Sequence, residues 1–166
     1  AELARLIRSY AVGFLSMTPS RLAAYLKEPL FARALAHVEA IVCGGESFPE
    51  ELLRALKDLT DAHVYNQYGP TEATVGVTLL RLNDAPHITL GKPMRNCRLY
   101  VLDERLSPKP IGAPGEIYIG GACLAHGYRG DAGLTNERFL QDPFTDGRVY
   151  RTGDLGRFLP DGAIEF

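Results

Sequence analysis

The stretch Asn66-Gln67-Tyr68-Gly69-Pro70-Thr71-Glu72 is the most informative part of this chain for both fold and chemistry. It places an aromatic ring, a Gly-Pro turn, a hydroxyl and a carboxylate within seven consecutive positions. A nucleotide site needs these groups: a surface for the base, backbone close to phosphate, a hydroxyl for an oxyanion and a carboxylate for Mg²⁺. In isolation, however, the stretch is more typical of an ordinary turn after a strand, because Gly-Pro marks turns in every class of protein.

Two segments further along the chain favour the nucleotide interpretation. One is Gly115-Glu116-Ile117-Tyr118-Ile119-Gly120-Gly121, continued by Leu124-Ala125-His126-Gly127-Tyr128, and the other is Tyr150-Arg151-Thr152-Gly153-Asp154-Leu155-Gly156. In this order the segments resemble the adenylate-forming superfamily, most closely the amino-acid adenylation domains of nonribosomal peptide synthetases. Shorter matches agree, and they are Cys43 to Glu46, Tyr100 to Asp103, Pro108 to Gly112 and Asn136 to Phe139. The resemblance runs from about Val12 to Phe166.

Composition argues against several other classes of protein. The chain has 166 residues, 46% of them hydrophobic, and a net charge of -2, so it can form a core but offers no charge pattern for nucleic acid or an anionic membrane. Its apolar runs are too short to span a bilayer. Its first residues read as a helix already begun rather than as a signal peptide, so we expect a cytoplasmic location. Cys43, Cys97 and Cys123 lack metal-ligand spacing and are expected to be reduced thiols.

The spacing of apolar residues predicts an α/β fold. Short apolar runs at 12–17, 38–43, 63–67 and 75–80 alternate with helical patterns, which is typical of a parallel sheet with crossover helices. Ser47 is expected to cap the helix that carries Leu52, Leu53 and Leu56. The second half has frequent Gly and Pro and short strand patterns.

We therefore predict a partial parallel, flavodoxin-like sheet with flanking helices in residues 1–82. A small β-rich subdomain is predicted in residues 83–166, and the junction is expected within 83–92. The resemblance also implies that the chain is a fragment of the large N-terminal core of an adenylation domain. Members of the family carry an upstream phosphate loop and a downstream catalytic Lys, and neither pattern occurs in this sequence.

The resemblance implies roles for particular residues of the nucleotide site. Tyr68 would stack on adenine, Thr71 would bond the α-phosphate, and Glu72 would bind Mg²⁺; Thr71 and Glu72 are the catalytic candidates. Asp154 would accept hydrogen bonds from the ribose hydroxyls. The alternatives are structural: a half-buried tyrosine at a strand end, a threonine in a turn, a glutamate in the first turn of a helix, and an aspartate after glycine.

The remaining cofactor contacts come from residues near the ends of two predicted strands. Gly45 and Glu46 would lie against the adenine, and Asn66 and Gly69 would complete the nucleotide site. Gly44-Gly45 allows a close approach of backbone to a ligand, but it lacks the pattern of a phosphate loop. Arg151 and Tyr150 are expected to serve packing or a surface ion pair.

Alignment on the family also predicts the pocket that selects the acyl group. The positions are Ser16, Val42, Gly44, Gln67, Val75 and Gly76. Val42, Gly44 and Gly76 leave room, whereas Ser16 and Gln67 can form hydrogen bonds. A site built to bond a polar group rejects substrates that lack it, so we expect a small polar amino acid similar to Asn or Asp.

The implied reaction joins ATP and an amino acid to give an aminoacyl-adenylate and pyrophosphate, with Mg²⁺. The acyl group would then pass to the phosphopantetheine thiol of a peptidyl carrier protein, and the rest of the adenylation domain and neighbouring synthetase domains would be further partners. Two alternatives remain open. The parent could be an acyl-CoA or aryl-acid ligase of the same superfamily, or the chain could be a non-catalytic subdomain that carries substrate specificity.

Overall fold

A computed structural model describes residues 2–166. Ala1 lies outside the described residues, and it is the first residue of the predicted first helix and of the predicted domain 1–82. The helices are α1 (Glu2–Ser9), α2 (Pro19–Leu26), α3 (Pro29–Ala34), α4 (Glu50–Leu59) and α5 (Ala132–Arg138), with 3₁₀ turns at Leu35–His37 and Thr71–Ala73. The strands are β1 (Phe14–Met17), β2 (Ala40–Gly44), β3 (His63–Tyr68), β4 (Thr78–Arg81), β5 (Lys92–Pro93), β6 (Cys97–Leu102), β7 (Gly115–Gly121), β8 (Phe139–Gln141), β9 (Arg148–Phe158) and β10 (Ile164–Glu165).

The described residues form two compact units. The first unit comprises residues 2–67 together with Leu80–Ile88, and the second comprises Tyr68–Leu79 together with Thr89–Phe166. These units differ from the two continuous segments 1–82 and 83–166, whose status as separate domains stays a prediction. Part of the expected junction packs in the first unit, where the Asn83 side chain accepts a hydrogen bond from Val64 N–H and donates one to the Ala62 carbonyl.

The first unit is built on the parallel strands β1, β2 and β3. Leu15 is in register with Ile41, and Ile41 with Val64, so one face of the sheet is a continuous apolar surface. Helices cover this face, and the core includes the fully buried Ile7, Leu22, Phe31, Leu35 and Leu56. Burial on this scale is the main force that orders a sheet of this size, because each apolar side chain removed from water stabilises the fold by about 1.5–3 kcal/mol.

The ends of two helices in this unit show where local sequence signals succeed and fail. Thr18 caps α2, because its side chain accepts from Arg21 N–H, and Pro19 occupies the first turn. The prediction that Ser47 caps α4 is wrong. The N-cap of α4 is Pro49, which makes no side-chain cap, and Glu50 and Glu51 in the first turn supply negative charge at the helix N-terminus instead.

The second unit is dominated by an antiparallel sheet in the order β10-β9-β7-β6, with β8 also paired to β9. Two of the short strand patterns of the second half, at 149–151 and 157–159, belong to the single strand β9, which also includes residues 152–156. The predicted strand at 75–80 begins later, at Thr78, because Thr74 and Val75 adopt left-handed φ values of 56° and 68° that end the extended conformation.

The predicted class is confirmed: helices flank a partial parallel sheet, and a β-rich part follows. The three cysteines are free thiols, as expected. In the part of the chain that the structure describes, no helix has the length and apolarity that crossing a membrane requires.

The buried face of α4 provides a test of this fold. Leu56 is fully buried whereas Leu59, on the same helix, is 42% exposed. We expect Leu56→Ala to lower the free energy of unfolding by about 2–5 kcal/mol through lost burial and a cavity, and Leu59→Ala by about 0.5 kcal/mol or less. Urea denaturation followed by circular dichroism measures both, and equal losses would contradict the assigned face.

Candidate functional site

In the first unit, the predicted pocket residues lie at the carboxyl ends of parallel strands. Ser16 is in register with Val42, and Gly44 is in register with Gln67. Because strand residues two apart share a face, these four residues are presented on one face of the sheet, opposite the face that packs on the helices. The carboxyl ends of strands in open α/β sheets are where ligands bind.

Gly44 is required by the neighbouring strand as well as by any ligand. A Cβ at this position would lie 2.7 Å from the Gln67 carbonyl oxygen, a distance that real side chains do not adopt. The sequence suggests only that a glycine leaves room in the pocket. The structure adds that glycine permits β2 and β3 to stay in register at the level of Gln67.

The three predicted nucleotide contacts of the first unit have different environments. Gly45 has a left-handed φ of 81° and turns the chain out of β2. Glu46 accepts hydrogen bonds from the Ser20 hydroxyl at 2.8 Å and from Ser20 N–H at 3.0 Å, and these lower the pKa of Glu46. Asn66 is on the helix-covered face and only 5% exposed. A role of these residues in nucleotide binding stays a prediction.

In the second unit, Gly69 begins a tightly wound turn. A Cβ on Gly69 would lie 2.6 Å from the Val75 carbonyl oxygen, so only glycine fits. Val75 N–H donates to the Pro70 carbonyl at 3.1 Å and Val77 N–H to the Tyr68 carbonyl at 2.8 Å, which closes the turn. Left-handed Thr74 and Val75 cost of order 1–3 kcal/mol each, and such strain persists where a site holds its backbone in place.

Tyr68 and Asp154, which the sequence assigns to adenine and ribose, are brought together. The Tyr68 hydroxyl donates to Asp154 Oδ2 at 2.6 Å. Burial, together with this bond, raises the pKa of Tyr68 well above its ordinary value, so the phenol stays protonated. The Tyr68 ring is partly exposed and lies 6.3 Å from the ring of Phe166. It retains aromatic surface on which a base can stack.

Three residues that the sequence did not assign to the site hold the backbone beside Asp154. Thr152 donates its hydroxyl to the Ile117 carbonyl at 2.7 Å and accepts from Asp154 N–H at 2.9 Å. Glu116 accepts from Gly153 N–H at 3.0 Å and forms an ion pair with Arg151 at 3.0 Å. Arg151 thus makes the expected ion pair, and its partner fixes the turn that presents Asp154.

Glu72 and Thr71 lie in the 3₁₀ turn that follows Pro70, where Thr71 is exposed and Glu72 is half-buried. The Tyr128 hydroxyl donates to Glu72 Oε1 at 2.6 Å, and the Tyr150 hydroxyl lies 3.3 Å from that of Tyr128. Partial burial raises the pKa of Glu72, but the hydrogen bond from Tyr128, the backbone of Glu72, the nearby Tyr150 hydroxyl and the charge of Arg138 together outweigh it, so the pKa is lower than usual and the carboxylate is ionised.

The hydroxyl pair at Tyr128 and Tyr150 was missed by sequence reasoning, which assigned Tyr150 to packing. No spacing rule points to it, since the two tyrosines are separated by 22 positions, and Tyr128 is 56 positions from Glu72. Antiparallel pairing places Tyr150 on β9 opposite Phe139 on β8, and the Phe139 ring contacts the rings of both tyrosines.

The residues fit one Mg²⁺ ligand rather than a complete metal site. Among residues 2–166, no group of three or more His, Cys, Asp and Glu side chains could hold a metal ion. Mg²⁺ in nucleotide sites is commonly held by one or two carboxylates together with phosphate oxygens and water. The ionised Glu72 carboxylate matches this chemistry.

Comparison with known proteins finds relatives that match almost the whole chain. The model of the AMP-binding enzyme family matches residues 1–129. The chain is 41% identical to a linear gramicidin synthase polypeptide of Brevibacillus parabrevis and 37% identical to bacitracin synthase 3 of Bacillus licheniformis. These matches cover 99% and 98% of this chain but only 3% of each relative, so the chain spans a small part of their length.

Solved structures show the same fold. The N-terminal subdomain of Klebsiella oxytoca NpsA, in complex with 3-hydroxybenzoyl-AMSN, matches with a TM-score of 0.87 and 28% identity over 99% of this chain and 42% of that one. PA1221, a synthetase protein with adenylation and PCP domains, matches with a TM-score of 0.90 and 29% identity over 99% of this chain and 34% of that one.

The bond between Tyr68 and Asp154 predicts a change in stability at alkaline pH. A raised folded-state pKa means that the stabilisation is complete below the unfolded value, near pH 10, and is lost as pH rises above it. Between about pH 9 and 11.5 the free energy of unfolding of the wild type should fall as pH rises. The fall should be smaller in Tyr68→Phe, by up to about 1.4 kcal/mol per pH unit.

Urea denaturation across this pH range measures the effect. Tyr10→Phe is the control, because Tyr10 is 74% exposed, and it should leave the pH dependence unchanged. Parallel curves for the wild type and Tyr68→Phe would contradict the assignment.

Proposed function

The chain belongs to the family of AMP-binding enzymes, and on that premise we propose that it is part of an adenylation domain that activates an amino acid with ATP. The product is an aminoacyl-adenylate. Its aminoacyl group then passes to the thiol of a peptidyl carrier protein as a thioester, and AMP is released. The observation that carries the proposal is the hydrogen bond from Tyr68 to Asp154, together with the ionised Glu72 in the turn that follows Tyr68.

Each of these side chains supplies one part of nucleotide binding. Tyr68 offers a ring for adenine, a contact that is worth about 1–3 kcal/mol for bases on aromatic rings. Asp154 accepts from ribose hydroxyls while Tyr68 holds one of its oxygens, and the exposed Thr71 hydroxyl donates to the α-phosphate. Because the turn is already wound and hydrogen-bonded, these groups need little reorganisation when ATP binds.

Glu72 is the proposed Mg²⁺ ligand. The cation neutralises phosphate charge when it is bound. Glu72 contributes an ionised oxygen in a fixed orientation, and Arg138 supplies positive charge nearby that also favours the ionised form.

The acyl substrate and the carrier partner are proposed from different observations. Ser16 and Gln67 add hydrogen-bonding groups to a sheet face that also carries Val42 and Gly44, which favours a small polar amino acid such as Asn or Asp. A peptidyl carrier protein is the proposed partner because structural relatives combine adenylation and PCP domains, as in PA1221.

A second candidate is an aryl-acid ligase of the same family. The structural relative NpsA was solved with 3-hydroxybenzoyl-AMSN, which carries an aromatic acyl group. The polar Ser16 and Gln67 favour the amino-acid assignment, and a substrate panel separates the two.

Removing the Glu72 carboxylate tests the nucleotide assignment. We expect Glu72→Ala in the intact parent domain to lower amino-acid-dependent ATP–pyrophosphate exchange by roughly ten- to a thousand-fold, the scale of one lost electrostatic contact to a developing charge. Glu104→Ala, an exposed glutamate on a turn of the second unit, is the control and should exchange at the wild-type rate. Unchanged exchange in Glu72→Ala would refute the metal-ligand role.

Gln67 tests the acyl assignment. We expect the wild-type parent domain to prefer small polar amino acids in an exchange panel that also contains apolar amino acids and aryl acids. Gln67→Leu removes the hydrogen-bonding amide and should reduce the preference for the polar substrate over its apolar analogue by roughly ten- to a hundred-fold. A preference for an aryl acid in the wild type would favour the second candidate.

A further inference from the structure

Two tyrosines outside the nucleotide turn form a directed chain of hydrogen bonds to Glu72. Tyr128 has one hydroxyl proton, and at 2.6 Å from Glu72 Oε1 that proton is donated to the carboxylate, which has none to give. The contact of 3.3 Å between the two hydroxyls must then run from Tyr150 as donor to Tyr128 as acceptor. The order is Tyr150 to Tyr128 to Glu72, and each bond polarises the next.

The rings that carry these hydroxyls are fixed by packing. Phe139 contacts both, at 5.8 Å from the Tyr128 ring and 5.1 Å from the Tyr150 ring, and the Arg148 guanidinium lies over the Phe139 ring at 5.3 Å. Tyr150 is only 6% exposed. The Tyr150 hydroxyl is therefore positioned by packing and not by solvent, and Phe139 packs against the rings of both tyrosines.

The backbone on both sides of the chain of hydrogen bonds is also held. Tyr128 N–H donates to Thr135 Oγ1 at 2.9 Å, and Ala125 N–H donates to the Glu72 carbonyl at 2.8 Å. Arg148 donates to the carbonyls of Ala125 and His126, both at 3.1 Å. Glu72 is thus fixed at its backbone and at its side chain by the same segment.

The alternation of β9 links this arrangement to the ribose carboxylate. Tyr150, Thr152 and Asp154 are two residues apart, and their burial alternates with that of the exposed Arg151 and Gly153. One strand presents Tyr150 towards Tyr128 and presents Asp154 towards Tyr68, as their hydrogen bonds show. Both ends of the turn 68–72 are bonded to groups on or next to β9.

We propose that Tyr128 and Tyr150 are positioning residues that hold the Glu72 carboxylate in the one orientation in which it receives a divalent cation. A phenol suits this task because it orients a carboxylate without neutralising its charge. One phenol uses one of about four acceptor positions on the carboxylate, which leaves the others for a cation. The inference rests on the proposed function, since it assumes that Glu72 meets the cation of a metal–ATP complex.

The test varies Mg²⁺ in the ATP–pyrophosphate exchange of the intact parent domain. Loss of a group that orients a metal ligand should raise the Mg²⁺ concentration for half-maximal exchange in Tyr128→Phe by roughly 10- to 100-fold. The rate at saturating Mg²⁺ should remain within about threefold of the wild-type rate, because a high Mg²⁺ concentration compensates for weaker metal binding. Tyr150→Phe should show a smaller shift in the same direction, because Tyr150 acts on Glu72 mainly through its hydrogen bond to Tyr128.

The matched control is Tyr100→Phe. Tyr100 also donates its hydroxyl to a carboxylate of the second unit, Asp142 Oδ2 at 3.1 Å, and has no hydrogen bond to Glu72. This variant should keep the wild-type Mg²⁺ dependence. A loss of rate in Tyr128→Phe with unchanged Mg²⁺ dependence, or an equal shift in Tyr100→Phe, would overturn the inference.

Mn²⁺ binding in the presence of ATP, measured by electron paramagnetic resonance of free Mn²⁺, provides a readout without turnover. Weaker binding in Tyr128→Phe than in the wild type is expected, and equal binding overturns the inference even when no amino acid supports exchange. Exchange by the wild type with equal Mn²⁺ affinity in all variants would leave the proposed function standing and remove the positioning role. If Tyr128→Phe fails to fold, Tyr150→Phe is read in its place.

Discussion

The close approach of Gly69 to the Val75 carbonyl oxygen is the constraint on which the turn after Tyr68 depends. Because Gly69 has no side chain, the chain can fold back on itself so that Val77 N–H reaches the Tyr68 carbonyl. This path requires left-handed backbone at Thr74 and Val75. The turn then presents Thr71 and Glu72 from a short 3₁₀ segment whose backbone is already hydrogen-bonded.

The carboxylates of this unit have two kinds of hydrogen-bond partner. Glu116 pairs with the cation Arg151 and binds Gly153 N–H, so its charge is used to hold backbone. Glu72 and Asp154 are instead met by tyrosine hydroxyls. A cation paired directly with either carboxylate would compensate the charge that the proposed Mg²⁺ and ribose contacts require, whereas a phenol supplies orientation and leaves the negative charge in place.

The first unit follows a different principle. There, parallel register alone assembles the candidate acyl residues, because Ser16, Val42, Gly44 and Gln67 occupy matching positions on three adjacent strands. The opposite face of the same strands is covered by helices and includes Ile41, Cys43 and Val64. A shift of one residue in any strand would exchange the two faces, so the apolar core and the polar candidates specify each other.

The class of fold, the order of the elements and the family could all be read from the amino-acid sequence. Apolar runs separated by helical periodicity are local patterns, and Tyr68 to Glu72, Gly115 to Gly121 and Tyr150 to Gly156 are short segments that can be matched without coordinates. The cap of α2 by Thr18 is also a local feature, since it joins residues three apart. Prediction from sequence failed at Ser47, since the N-cap of α4 is Pro49, and at Val75, whose left-handed backbone belongs to the turn that begins at Gly69.

Only the tertiary structure decides which of these side chains are in contact. The contacts of Tyr68 with Asp154 and of Tyr128 with Glu72 join residues separated by 86 and 56 positions. Such pairs depend on strand register and on the path of the antiparallel sheet, which local propensity does not encode. The division of the described chain into two interleaved units has the same origin, because Leu80–Ile88 returns to the first unit through packing of Leu82 and its neighbours against a core formed earlier in the sequence.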